Sequence, residues 1–283
     1  MSDPLHLIAT PLGEPGSGRV RYGAAMRLWQ AGKLPEMALE VYRICSAMDA
    51  QDPGPLLAER GLTVPIAPAT TPAGALTCLL SEADRYLANL DAAGVAEVRM
   101  GLSAAVPQVP SPPGVPPVLQ AHLPAALAAL ATTHPALATA IRDAAPALCW
   151  HTYDGYARSE IGTSFADGHA YASLVGAGGP FAADDFDFGL FIVAPHVLYR
   201  DHAHAAPELY APLTGPHGWR FRPDAPLTLK PAHVPVWNDP HAPHCTKVGP
   251  LPFLAFYGWT RDAEAPAYLV PASDWAALEG LRL

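Results

Sequence analysis

The sequence predicts an α+β fold, with a helical N-terminal half and an all-β C-terminal half. In the first half, apolar residues recur at three- and four-residue steps through Ala-rich segments. Around Cys149-Trp150 that texture stops, and short aromatic and β-branched runs separated by Gly, Pro and Asp take over. At 283 residues the chain is long for one domain and short for three. The expected organisation is a helical region over residues 1–148 and a β domain over residues 149–283.

Val20 to Met48 places Leu, Met, Val, Tyr and Ile at helical spacing, broken near Lys33-Leu34-Pro35, which predicts two helices. Thr71-Pro72 is an N-cap and first-turn signal for a further helical pattern that runs to about Val106. The segment from Val106 to Val118, VPQVPSPPGVPPV, has too much proline for a helix or a central strand and is expected to be an ordered or semi-rigid linker. Helix resumes over LQAHLPAALAALATTHPALATAIRDAAPAL. The second half offers HAYASLVG, FDFGLFIVAP, HVLYRDHAH, ELYAPLTG, HGWRF, LTLKP, PVWND and FLAFYGW, about eight short strands that argue for an antiparallel sandwich or barrel. The acidic run Asp184 to Phe188 ahead of one strand is expected to be a solvated loop.

Composition narrows the partners. Half the residues are hydrophobic and 15% are charged, which excludes a disordered acidic protein. The formal charge of -9 and the lack of any Lys/Arg cluster argue against nucleic acid. Cys45, Cys78, Cys149 and Cys245 form no CxxC pair and are expected to be core thiols of a reducing compartment. No run approaches the ~20 apolar residues of a membrane span, and the N-terminus lacks a basic region followed by an apolar one, so a cytoplasmic protein without membrane contact is expected.

The chemistry concentrates in YRDHAHAAPELY, Tyr199 to Tyr210. His202 and His204 alternate along a strand and share a face, and Glu208 and Tyr210 follow at the same parity once Ala205-Ala206-Pro207 has turned. A fourth donor is available from His241 or His244 in WNDPHAPHC. Imidazoles with one carboxylate suit a single divalent ion, Zn, Fe(II), Mn or Ni. Twelve histidines make a chance HxH pair unremarkable; the joint spacing with Glu208, Gly215 and a later histidine is what favours a metal site.

HAHAAPELYAPLTG has the form HxHxxxExxxxxxG and resembles the first cupin motif, with PHAPH where the histidine of the second motif belongs. More closely, YASLVGAGGPF, GLFIVAPHVLYRDHAHAAPELYAPLTGPHGW and LAFYGWTRD resemble the cupin-type dimethylsulfoniopropionate (DMSP) lyases, over roughly Trp150 to Asp262. The chain departs from the first motif at His196, where that motif has a glycine. The resemblance implies an all-β cupin, or jelly-roll, barrel behind a helical N-terminal region. It implies His202, His204, Glu208 and His244 as metal ligands, with His244 preferred to His241. It implies Tyr199 and Tyr210 as reactive phenols, although Tyr199 has the wrong parity on a regular strand and needs a bulge to reach the site. The implied reaction is metal-dependent β-elimination of DMSP to acrylate and dimethyl sulfide, with Tyr199 as general base.

Aromatic faces suit a sulfonium cation, and Trp219, Tyr257, Trp259 and Tyr153 are the candidates, with Trp150 and Tyr156 as further lid residues. Trp219, Tyr257 and Trp259 are equally at home in a core. The partner is then a small molecule, and the helical half is left two roles, covering the site or building a homodimer interface. Two other functions share these residues: a different metal cupin such as a dioxygenase or isomerase, and a non-catalytic small-molecule binder.

Overall fold

The computed structural model describes residues 4–63 and 71–283; the expectation of no leader segment falls partly on residues 1–3, outside the described residues. The chain divides into two compact units, Met1–Thr70 and Thr71–Leu283, although its texture changes at residues 148 and 149.

In the first unit, α2 (Ser17–Gln30) and α3 (Glu36–Cys45) are the two expected helices, with Pro35 capping α3 where the sequence breaks, and they are flanked by two short helices that no sequence signal announced, α1 (Pro4–Ile8) and α4 (Gly54–Glu59). Their apolar faces meet around Ala24, Leu28, Val41, Tyr42 and Leu57. Buried Arg21 donates to the carbonyls of Thr10, Pro11 and Asp49, so its charge is spent on loop backbone.

The second unit opens with α5 (Pro72–Leu87), whose Thr71 cap accepts from Gly74 N at 3.1 Å. The helical pattern predicted to run on to Val106 is two helices. Gly94, at φ +79°, starts α6 (Val95–Ala104), and a Cβ there would lie 2.0 Å from the Trp237 ring. The Pro-rich segment is pinned at its ends: Val106–Pro107 forms β1, and Pro117 begins α7 (Pro117–Ala131). Helix α8 (Pro135–Ala144) and two short turns, α9 (Arg158–Ile161) and α10 (Thr163–Asp167), lead into the sheets.

The remaining strands are β2 (His169–Val175), β3 (Phe181–Ala182), β4 (Asp187–Val193), β5 (Leu198–Ala203), β6 (Glu208–Pro212), β7 (His217–Arg220), β8 (Thr228–Lys230), β9 (Val236–Asn238), β10 (His244–Lys247), β11 (Phe253–Trp259) and β12 (Tyr268–Leu269), followed by α11 (Trp275–Gly280). They form a seven-stranded sheet, β1-β3-β2-β4-β11-β6-β9, and a five-stranded sheet, β12-β5-β10-β7-β8. All pairs are antiparallel except β2 with β3. This is the cupin arrangement of two sheets closed on one core.

Period-two alternation decides what each face buries. In β4 and β11, Phe188, Leu190, Ile192, Leu254 and Phe256 pack outward among α5 to α8. Phe191, Val193, Phe253 and Tyr257 point inward to meet Tyr199 and Trp219 of the other sheet. Helices therefore cover the outer face of the large sheet, and FDFGLFIV is apolar almost throughout because both of its faces are buried. Strand β10 has no such signature. Its sequence HCTK is short and polar, yet all four residues are buried, with Lys247 Nζ donating to His196 O at 2.5 Å and Glu279 O at 3.1 Å.

Candidate metal centre and adjoining cavity

His202 lies on β5 with His204 directly after it, and His244 faces His202 across the β5–β10 pair. One nitrogen from each of the three buried imidazoles lies within 4.8 Å of the others. Each Nδ1 donates to a carbonyl two residues away: His202 to Arg200 at 2.9 Å, His204 to Ala206 at 2.7 Å and His244 to Ala242 at 3.0 Å. A carbonyl can only accept, so the hydrogen sits on Nδ1 and the Nε2 lone pairs are turned to the common centre.

Glu208, opening β6, brings its Oε2 to 3.2 Å from His204 Nε2 and 3.3 Å from His244 Nε2. The second contact lacks hydrogen-bond alignment, which leaves His244 Nε2 a buried polar atom without a hydrogen-bond partner. A donor set of oriented imidazoles, a buried carboxylate and an orphaned Nε2 fits a divalent cation of borderline hardness. Burial opposes the charge on Glu208, but His204 and His244 outweigh it and hold the carboxyl well below its usual range. Burial, then the neighbouring imidazoles, push His202 well below the ordinary histidine range.

Cross-strand neighbours fix the carboxylate. Trp259 on β11 and Asn238 on β9 are the register partners of Glu208. Trp259 Nε1 donates to Oε1 at 2.8 Å and Asn238 Nδ2 to Oε2 at 3.0 Å. His241, the other second-motif candidate, is exposed and turned toward Tyr268; its backbone N–H donates to His204 O at 2.8 Å.

The pairing of β5 with β10 matches His244 to His202 but Thr246 to Tyr199, so three steps on β5 oppose two on β10. That extra residue is a bulge, and it turns Tyr199 to the face of His202. The phenol stacks on the His202 ring at 3.7 Å between centroids and on Phe165 at 4.1 Å, and its hydroxyl lies 3.1 Å from that of Tyr156. Tyr210 is buried two residues beyond Glu208 on the same face. Burial first, and then neighbouring tyrosines for Tyr199 or Glu208 for Tyr210, push both phenols well above 10.

A cavity of about 290 Å³ adjoins this cluster, bounded by Glu208, Tyr199 and Tyr210 at one side. Tyr153, Tyr257 and Trp259 line it, together with Tyr171, Phe165 and Phe191. Trp219 does not: it is 1% exposed and packed against Tyr210 and Phe253, with no partner for its indole N–H among the described residues, because β7 lies behind the tyrosine layer. Trp150 is core as well, with Nε1 bonded to Ala145 O at 3.0 Å. Tyr153 is held by its backbone N–H, which donates to His169 Nε2 at 2.8 Å, while His169 Nδ1 donates to Phe165 O at 2.6 Å.

Three residues of this region carry no motif. Asn238 ends a short strand, and His169 begins one; nothing in their spacing marks them. Asp187 belongs to the acidic run expected to be a solvated loop. Asp184 and Asp185 are exposed, but Asp187 opens β4 and lines the cavity. Its parity with Phe191 was the available signal. Asp201 is fully buried and bidentate to Arg220 at 2.9 and 2.5 Å, because β5 is an inner strand flanked by β12 and β10.

The departure at His196 and the match at Gly215 both have backbone explanations. His196, where the first cupin motif has glycine, adopts φ +65°, the left-handed conformation a glycine takes without strain. Gly215, the motif's last position, allows a close approach, since a Cβ there would lie 2.4 Å from Ala232 N.

The dimethylsulfoniopropionate lyase family model matches residues 92–255. The chain belongs to the DMSP lyase family. It is 33% identical over 178 residues to the DMSP lyase DddQ of Ruegeria pomeroyi, covering 59% of this chain and 82% of that protein. Solved structures share its fold. One, from work on the DMSP lyases RdDddP and RnDddQII, superposes with a TM-score of 0.57 at 22% identity, over 71% of this chain and all of that one. DddQ from Ruegeria pomeroyi superposes with a TM-score of 0.55 at 23% identity, over 69% of this chain and 96% of that one. The matched region of this DMSP lyase family member takes in α6 to α10 and every strand from β1 to β10. Among the described residues, no helix is long and apolar enough to cross a membrane.

Proposed function

We propose that the protein is a metal-dependent lyase that cleaves DMSP to acrylate and dimethyl sulfide, using Tyr199 as general base. The observation that carries this reading is the juxtaposition of Tyr199, stacked on His202, with three imidazoles whose Nε2 atoms converge beside Glu208. His202, His204, His244 and Glu208 are the residues that would hold the ion. A divalent cation there supplies a Lewis acid for the substrate carboxylate and a positive charge that favours the phenolate.

The rest is done by the chain. Tyr210, beside Glu208, orients the carboxylate end, and Tyr153, Tyr257 and Trp259 offer ring faces to the sulfonium end. Tyr199 removes a proton from the carbon next to the carboxylate. The C–S bond then breaks with its electron pair going to sulfur, giving neutral dimethyl sulfide and acrylate. Tyr156, whose hydroxyl is 3.1 Å from that of Tyr199, receives the proton on its way out.

The test is headspace dimethyl sulfide above protein and DMSP, before and after chelation and after adding back Zn, Fe(II), Mn or Ni singly. Dimethyl sulfide that disappears with chelator and returns with at least one metal is expected. A metal-loaded protein that releases none overturns the reading.

A further inference from the structure

The cavity contains a carboxylate that the elimination chemistry does not use. Asp187 opens β4 on the inward face, and its carboxylate accepts from Tyr257 Oη at 3.2 and 3.3 Å; Ser173 Oγ stands 3.1 Å from the same phenol. Among the described residues it forms no ion pair, and no lysine or arginine lines the cavity. The lining histidine, His169, has both nitrogens engaged with backbone groups. A half-buried carboxylate without a cation is costly unless something charged arrives, and partial burial pushes this one up to about 6.

Its position has a measurable relation to the histidine cluster. Asp187 and Glu208 are the two register partners of Trp259, one on each side of β11. Two strand spacings separate their backbones by about 10 Å. Trp259 lies between them, and Tyr257 occupies the next inward row. A ligand with an anionic end at Glu208 and the histidines, and a cationic end two or three bonds away, would span that row over an aromatic floor.

Resting on the lyase reading, we propose that Asp187 is the specificity residue for the onium end of the substrate, selecting zwitterions with a permanent positive charge over neutral molecules of the same shape. Tyr257 and Ser173 are positioning residues that aim its carboxylate across the cavity. Aromatic faces alone would discriminate weakly, because they also welcome an apolar tert-butyl group; a carboxylate does not.

The experiment compares two unreactive ligands of matching shape and identical carboxylate, 3-(trimethylammonio)propanoate and 4,4-dimethylpentanoate, by calorimetric titration of the metal-loaded protein. The wild type is expected to bind the ammonium compound at least about tenfold more tightly. Asp187→Asn should bring the two affinities within about twofold, and Asp187→Glu should restore part of the preference. Equal affinities in the wild type, or a preference unchanged in Asp187→Asn, overturns the inference. A structural defect would weaken both ligands alike and leave the ratio intact, which also counts against it. Dimethyl sulfide release by the wild type is read separately: none with the preference present overturns the lyase reading and leaves the onium site standing.

Discussion

Tyr199 is clamped between the Phe165 and His202 rings, so its hydroxyl is aimed by stacking, and among the described residues it hydrogen-bonds to Tyr156 alone. Tyr199→Phe keeps both stacked faces and removes only the oxygen. It is expected to lower kcat by about two to four orders of magnitude while metal content and melting temperature stay at wild-type values. Tyr156→Phe should be milder, about tenfold, since solvent can replace a relay more easily than a base. Equal losses in the two variants would move the base to Tyr156. Glu208 is aimed by other means. Trp259 and Asn238 grip one oxygen each, so Asn238→Leu is expected to weaken metal retention about 10- to 100-fold, measured by competition with a chelator. A retention equal to wild type would show that the grip of Trp259 suffices.

At the scale of elements, β4 is hemmed in on both faces and by its neighbours. A Cβ on Gly189 would lie 2.0 Å from Ala172 O of β2, with backbone rather than a mobile side chain in the way. Gly189→Ala is expected to destabilise the fold by about 3 kcal/mol or more, seen as a lower urea midpoint. The same elements show what the sequence makes legible. Strands β2, β4, β5, β6 and β11 were marked by β-branched and aromatic runs, and Thr71-Pro72 placed α5 correctly, because these signals are local. Strand β10 was not, since HCTK owes its place to long-range pairing with β5 and β7. The histidine cluster and its carboxylate are legible for the same local reason: parity puts His202, His204, Glu208 and Tyr210 on one face. Tyr199 required a bulge, Asn238 a cross-strand register, and Trp219 a knowledge of which layer lies in front, none of which spacing encodes.

For the whole molecule, acid sensitivity follows from two buried neutral imidazoles. Burial holds His169 and His217 down at about 4. Unfolding lets each take a proton near pH 6.5, so stability is full above that value and falls as pH drops toward 4, by on the order of 3 kcal/mol for each. Asp187, raised to about 6, works in the opposite sense. It holds its proton in the folded state, so stability rises by on the order of 3 kcal/mol as pH falls from about 6 to 3.9. Among these three groups, two losses against one gain leave a net decline between pH 6.5 and 4, and the depressed His202 and Glu208 act in the same direction as the losses. Urea titrations at pH 7, 5.5 and 4.5 should record it, and Asp187→Asn should make it steeper. A flat profile would mean that the histidines are not buried neutral in solution.

The sheets also divide the molecule. All three clustered histidines come from the β5–β10 region of the five-stranded sheet, each oriented by a carbonyl within two residues of itself. Asp187, Tyr257, Trp259 and Tyr171 come from the seven-stranded sheet across the cavity. Because the imidazoles are aligned by their own neighbouring residues, the opposite wall can be recut without disturbing them. The protein is thus an accessible scaffold for new substrates: a library confined to inward positions of β2 and β4 and to Tyr257, sparing Trp259 because it grips Glu208, would sample recognition with the donor set held constant.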